Sequence, residues 1–201
     1  MKLLRILLTG FEPFGNYKEN SSWAVAEKVA ACGFEGVYVV QLPVTFAGVT
    51  AALRRAVEEH RPDAIVMLGQ SAAIDYIKLE RIAINMMDSV SLDNDGYIPD
   101  EEAILQGGEA ALFTNTNIKE LCRAVKEQGL PAKVSNSAGL YVCNRLYYEA
   151  LTICKENRGM TALFVHLPFY DGQSSAPAGK SNMLLDDMVQ AVNIIIHKIG
   201  Q

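Results

Sequence analysis

The sequence predicts an α/β fold: a three-layer α/β/α sandwich around a mostly parallel central sheet. Three observations carry that expectation. Short apolar runs alternate along the chain with amphipathic stretches of helical period. The segments LTGFEPFG, MLGQSAA and VHLPFYD fall where such runs finish, which is where parallel sheets build their sites. And 201 residues, 50% hydrophobic and 20% charged, suffice to bury a full core in one domain spanning residues 1–201.

Each element has its own reason. LLRILLTG (3–10) reads as a buried first strand; despite the early Lys2 its apolar run stops at Gly10, and no small-residue cleavage site follows. SSWAVAEKVAAC (21–32) reads as a helix and GVYVVQLPV (36–44) as a strand. FAGVTAALRRAVEEH (46–60) is helical, with Val49, Leu53 and Val57 on one face, and DAIVMLG (63–69) is a strand. ERIAINMMDSV (80–90) is extended, and residues 91–110, rich in Asp, Asn, Gly and Pro, form a loop long enough to suggest function. NIKELCRAVKEQG (117–129) returns to helix: Ile118, Leu121, Cys122 and Val125 repeat at i, i+3, i+4 and i+7, and Gly129 is a cap. A further helix begins at Cys143, with Leu146, Ala150 and Cys154 on its period. Strand ALFVHLPF (162–169), a loop from Tyr170 to Lys180 and a final helix from Ser181 to Ile199 complete the order.

Composition narrows the function. A net charge of -5 and a pI near 5.2 leave no basic stripe for a nucleic acid. The longest apolar runs, such as AVNIII, fall far short of the roughly 20 residues that span a membrane. Cys32, Cys122, Cys143 and Cys154 show neither CxxC pairing nor zinc-ligand spacing, so a reduced, cytoplasmic protein is expected, with three of the four thiols in the core. Two other motifs are imperfect. SSAPAGKS (174–181) matches a phosphate loop except for Ser174 in place of the first glycine, and SLDNDGYIPDEE (91–102) echoes a calcium loop that Ser91 and Pro99 spoil. Neither motif is expected to hold a cofactor or metal.

Cys143 lies at the first turn of its helix, where unpaired N–H groups and the helix dipole favour a thiolate and could hold an oxyanion. A thiol nucleophile needs a histidine base and a group that orients the imidazole. Of three histidines, His60 ends a charged helix and His197 lies near the C-terminus, whereas His166 sits late in a strand, facing the site-forming loops. Spacing alone leaves His166 either a base or a satisfied core histidine, and Cys143 either a nucleophile or an inert buried thiol. Glu80 opens an apolar stretch and fits the orienting carboxylate, or else an ordinary surface pair with Lys78 or Arg81.

Four segments resolve these alternatives by resemblance. LLTGFEPFGNYKENSSW, GQSAAIDYIKLERIAIN, VSNSAGLYVCNRLYY and FVHLPF are together similar to the pyroglutamyl-peptidase I (pyrrolidone-carboxylate peptidase) family of cysteine peptidases, over nearly the whole chain. The resemblance implies Cys143 as nucleophile, His166 as general base and acid, and Glu80 as the group orienting the imidazole. It implies peptides with an N-terminal pyroglutamate as substrates, no cofactor, and a homo-oligomer, typically a tetramer. Phe11 and Phe14 match positions that sandwich the lactam ring, Gln70 one that hydrogen-bonds the lactam amide, and Tyr141 and Val142 the pocket wall beside the nucleophile. The backbone N–H of Cys143 is expected in the oxyanion hole.

The chain departs from that pattern in AAI (72–74) and VSL (90–92), where Ile74 and Val90 replace two arginines, and at Tyr141, which replaces a phenylalanine and adds a hydroxyl needing a partner. These departures keep other readings open: an amidase or thioesterase using the same three residues on another small acyl group, or a weakly catalytic binding relative. A nucleotide site built on Lys180 is more distant.

Overall fold

The computed structural model describes residues 3–72, 74–174 and 182–201. Fifteen elements follow in the order β1 (Ile6–Phe11), α1 (Ser21–Ala31), β2 (Val37–Leu42), α2 (Gly48–His60), β3 (Ala64–Gln70), β4 (Ile77–Glu80), β5 (Ile82–Ile84), β6 (Ala111–Phe113), α3 (Ile118–Glu127), β7 (Ala132–Ser135), α4 (Val142–Glu156), β8 (Thr161–Leu167), β9 (Phe169–Tyr170), β10 (Asn182–Met183) and α5 (Leu185–Ile199). Six strands form the central sheet in the order β2-β1-β3-β8-β4-β7. Every adjacent pair is parallel except β4 with β8, so the predicted mostly parallel α/β sheet is observed.

Strand alternation divides the core in two. Ile6 and Leu8 of β1, Val66 and Leu68 of β3, and Leu163, Val165 and Leu167 of β8 pack in one cluster with α1, α3 and α5. Their neighbours Leu7, Ile65, Met67, Ala162 and Phe164 point the other way, into a cluster with α2 and α4. Both faces of β1, β3 and the first half of β8 are therefore largely apolar, as a sheet covered by helices on both sides requires.

The chain starts and stops its helices with local chemistry. Asn20 caps α1, its side-chain oxygen accepting from the Ser22 N–H at 3.1 Å, while Gly129 follows α3 at φ +77°, a left-handed conformation suited to glycine. Helix α2 begins two residues later than expected, where the Gly48 N–H donates to Thr45 Oγ1. The apolar stretch around Glu80 is two strands: β4 joins the central sheet, and β5 pairs with β6 in a separate one. Arg81 stands at the break, its N–H bonded to the Ser135 carbonyl and its carbonyl to the Thr114 N–H. The last helix starts at Leu185, after the short strand β10; Ser181 lies outside the described residues.

The cysteines require a correction. Cys122 and Cys154 are buried, but Cys32 is exposed, because it sits past the last turn of α1 rather than on its inward face. The calcium-like segment serves another purpose. Asp93 is buried, and its carboxylate accepts N–H groups from Phe46, Asp95 and Tyr97, a use of its lone pairs that favours a tight turn over a cation. The phosphate-like segment, Lys180 included, lies outside the described residues apart from Ser174.

Candidate active site

Residues that alternate on two strands converge on one side of the sheet. Leu163, Val165 and Leu167 of β8 face one core, so His166 faces the other, toward α4. The same rule applied to Ile77 and Leu79 of β4 turns Lys78 and Glu80 to that side. Antiparallel register places Lys78 opposite His166 and Glu80 opposite Phe164, which brings Glu80 and His166 into diagonal reach. Their contact is short: Glu80 Oε1 lies 2.7 Å from His166 Nδ1, with the carboxylate fully buried.

A carboxylate accepts, so Nδ1 carries the proton and Nε2 is left with its lone pair. That is the tautomer a general base needs. Further groups hold the arrangement. The Tyr147 hydroxyl donates to the Glu80 carbonyl at 2.9 Å, tying α4 to β4, and the Phe164 ring lies 4.8 Å from the imidazole centroid to centroid. Gly69 pairs with His166 across β3 and β8; a Cβ there would stand 2.8 Å from the Phe164 ring and 3.1 Å from the imidazole. The glycine makes room for the histidine.

Cys143 is the second residue of α4. No side chain caps this helix; the Asn144 and Arg145 N–H groups return to the Tyr141 carbonyl, and the Cys143 N–H, in the first turn, has no helical carbonyl to meet. The thiol nonetheless is not acidic. Burial, followed by the negative charge of Glu80, pushes it up to about 12, against the opposing pull of its own main-chain N–H and the Lys78 charge. Desolvation outweighs the helix terminus, so the resting group is a neutral thiol that must surrender its proton to a base.

The five residues expected to line a pocket do so together. Phe11, Phe14, Gln70, Tyr141 and Val142 join Cys143 around a small cavity of about 50 Å³, with Asn20 and Val44 completing the wall. Glu80 and His166 are a separate pair outside that lining, near enough for the carboxylate to act on the thiol. Gln70 is oriented unambiguously. Its Oε1 accepts the Ser21 N–H and the Gln173 side-chain amide, each at 2.8 Å, and only an oxygen can accept from a backbone N–H. Its Nε2 is buried without a hydrogen-bond partner among the described residues, so the cavity is offered a donor.

The extra hydroxyl of Tyr141 finds its partner in the Leu92 carbonyl at 2.9 Å, fastening the long loop to the base of α4. Ile74 is buried and Val90 is 100% exposed, so neither supplies a polar group here. Three contributors escaped the sequence reading. Asn20 was detectable as a helix cap. Gln173 carried no local signal. Asn144, buried next to Cys143, accepts the Ile84 N–H and donates to the Ile84 and Met86 carbonyls, which satisfies its amide and locks β5 against α4.

Comparisons with known proteins place the whole chain in one family. The family described as Pyroglutamyl peptidase matches residues 4–201. The chain is 40% identical over 200 residues to the pyrrolidone-carboxylate peptidase of Thermococcus kodakarensis, covering 98% of this chain and 96% of that protein. It is 36% identical to the Clavibacter michiganensis enzyme of the same name, over 95% and 90% of the two chains. Among solved structures, pyrrolidone carboxyl peptidase from Fervidobacterium islandicum superposes with a TM-score of 0.91 at 34% identity, covering 98% of each chain. Pyroglutamyl peptidase I from Bacillus amyloliquefaciens gives 0.90 at 33%, covering 96% of this chain and 94% of that one.

Proposed function

The chain belongs to the pyroglutamyl peptidase family, and from that premise we propose that it removes N-terminal pyroglutamate from peptides as a cysteine peptidase, with Cys143, His166 and Glu80 as its reacting machinery. The observation that carries the reading is the buried 2.7 Å contact between Glu80 and His166 Nδ1.

In the first step His166 Nε2 takes the thiol proton as sulfur attacks the carbonyl carbon that joins the lactam residue to the peptide. The Cys143 N–H, at the start of α4, meets the oxyanion. Collapse of this intermediate breaks the C–N bond, the imidazolium returns its proton to the leaving amine, and the acyl group stays on sulfur as a thioester. Water, deprotonated by His166, then attacks the thioester. The departing thiolate recovers the proton and pyroglutamate is freed. Glu80 holds the Nδ1–H throughout and stabilises the imidazolium.

Recognition follows from the lactam having no charged amine. Phe11 and Phe14 offer aromatic faces to a flat ring, Tyr141 and Val142 close the wall, and the unpaired Gln70 Nε2 donates to the ring carbonyl. No metal or cofactor enters any step. Residues 1–201 act as one domain in this reading. It also takes the protein as a cytoplasmic homo-oligomer, tetrameric by resemblance; four free cysteines support a reducing compartment, and no described helix is long and apolar enough to cross a membrane.

The test is fluorophore release from pyroglutamyl-aminomethylcoumarin, with the alanyl analogue as control. Turnover of the lactam substrate alone is expected, lost in Cys143→Ala and after alkylation of Cys143. A folded, reduced wild type that leaves the lactam substrate intact would sink the proposal.

A further inference from the structure

Lys78 shares the sheet face of Glu80 and His166, two residues before one on β4 and directly across from the other on β8. Its ammonium lies 3.1 Å from Glu80 Oε1, the same oxygen that receives the His166 Nδ1–H. It also donates to the Ser137 carbonyl at 3.3 Å, in the segment that leads from β7 to Cys143. Its side chain is only 22% exposed, unlike a solvated surface lysine. One cation thus touches the orienting carboxylate and the approach to the nucleophile.

We propose that Lys78 is a positioning residue for the reaction: its ammonium clamps the Glu80 carboxylate to the Ser137 carbonyl and cancels the carboxylate charge that opposes ionisation of the Cys143 sulfur. The role rests on the peptidase reading of Cys143 and His166. At rest the thiol and imidazole are neutral, and the Glu80 and Lys78 charges cancel. When the proton moves from Sγ to Nε2, thiolate and imidazolium appear as a second cancelling pair. Without Lys78 the cluster carries a net negative charge in both states, and sulfur must ionise beside an uncompensated buried carboxylate. In keeping with this, burial and then Glu80 oppose thiol ionisation, while Lys78 favours it.

The other ionisable groups nearby do not duplicate it. Tyr141 and Tyr147 are both pushed up by burial and stay neutral. On β7, Lys133 is paired in register with Lys78, but its ammonium sits 4.1 Å over the Tyr76 ring. Arg81 is bonded to Asn136, away from the carboxylate oxygen.

Full-length Lys78→Met and Lys78→Arg would be compared with wild type in two assays: the pH profile of lactam-substrate hydrolysis, and iodoacetamide alkylation of Cys143 against pH, read on its own peptide. Exposed Cys32 is the internal control. Removing the cation disfavours the thiolate, so in Lys78→Met both Cys143 profiles should move up by about one pH unit and neutral-pH rates should fall about tenfold. Cys32 should be unaffected, and Lys78→Arg should restore the profile. Lys78→Met profiles that coincide with wild type overturn the proposal, as does a lower melting temperature with an unshifted profile. A shifted alkylation profile in a protein that never cleaves the lactam substrate keeps the clamp and removes the peptidase reading; normal hydrolysis indifferent to Lys78→Met does the reverse.

Discussion

The two faces of β4 and β8 differ sharply in chemistry. On one, Ile77, Leu79, Val165 and Leu167 are fully buried against α1, α3 and α5 and carry no polar side chain. On the other, the alternate residues Lys78, Glu80 and His166 bring a cation, an anion and an imidazole together beneath α4. Adjacent positions along one strand thus serve stability and chemistry separately. Because a side chain's face follows from odd or even position, a substitution can strike one role while sparing the other.

Glu80→Gln is the sharpest way to test that separation. The amide keeps the shape but loses the charge, and it can present Nδ1 with an amide N–H where an acceptor is needed. Hydrolysis should fall by about 10³-fold or more in kcat. The melting temperature should fall only modestly, since the Lys78 ammonium loses its carboxylate partner but is 22% exposed and not fully buried. A variant that melts early and keeps its kcat would break the comparison.

On the opposite face, Leu79→Ala should cost about 2–5 kcal/mol of stability, seen as a lower denaturant midpoint. Below that midpoint kcat should stay within about twofold of wild type. A large loss of kcat in folded protein would mean the two faces are coupled through β4.

Gly69→Ala probes the site face from β3. The new Cβ would press on the Phe164 ring and the imidazole, both of which it would meet at about 3 Å. Displacing the base slightly should reduce kcat about ten- to a hundredfold with little change in KM. If kcat is unaffected, Phe164 alone gives way and His166 does not depend on that packing.

Tyr141→Phe should have the smallest effect. It deletes one hydrogen bond, to the Leu92 carbonyl, while keeping the ring against Phe46. A loss of about 1 kcal/mol in stability is expected, with a modest rise in KM as the long loop loosens. A change of kcat beyond tenfold would assign the hydroxyl a direct part in the reaction.

Much of this is legible in the sequence. The patterns of residues 21–32, 117–129 and 162–169 located two helices and a strand within a few residues, because each helix buries a continuous stripe and the strand is an unbroken apolar run buried on both faces. Cys143 and His166 stood out by position, yet position alone could not separate a working thiol from an inert one. Glu80 was harder still. It lies 86 residues from His166 in sequence, and it reaches the imidazole only because β4 runs antiparallel beside β8. No local pattern announces that pairing.

By itself the sequence determined the layered α/β class, the family, and most of the residues that line the cavity, Asn20 and Val44 excepted, since hydrophobic period and motif chemistry are local properties. Tertiary structure alone decided which way they act. It turned the Gln70 amide so that its oxygen is taken by Ser21 and Gln173 and its Nε2 has no partner among the described residues, left the Cys143 thiol neutral despite its place in a helix's first turn, and set Lys78 against the Glu80 carboxylate instead of the solvent. The reason is physical: hydrogen-bond direction, desolvation and charge pairing depend on distances between residues remote in the chain, which exist only once the sheet is assembled.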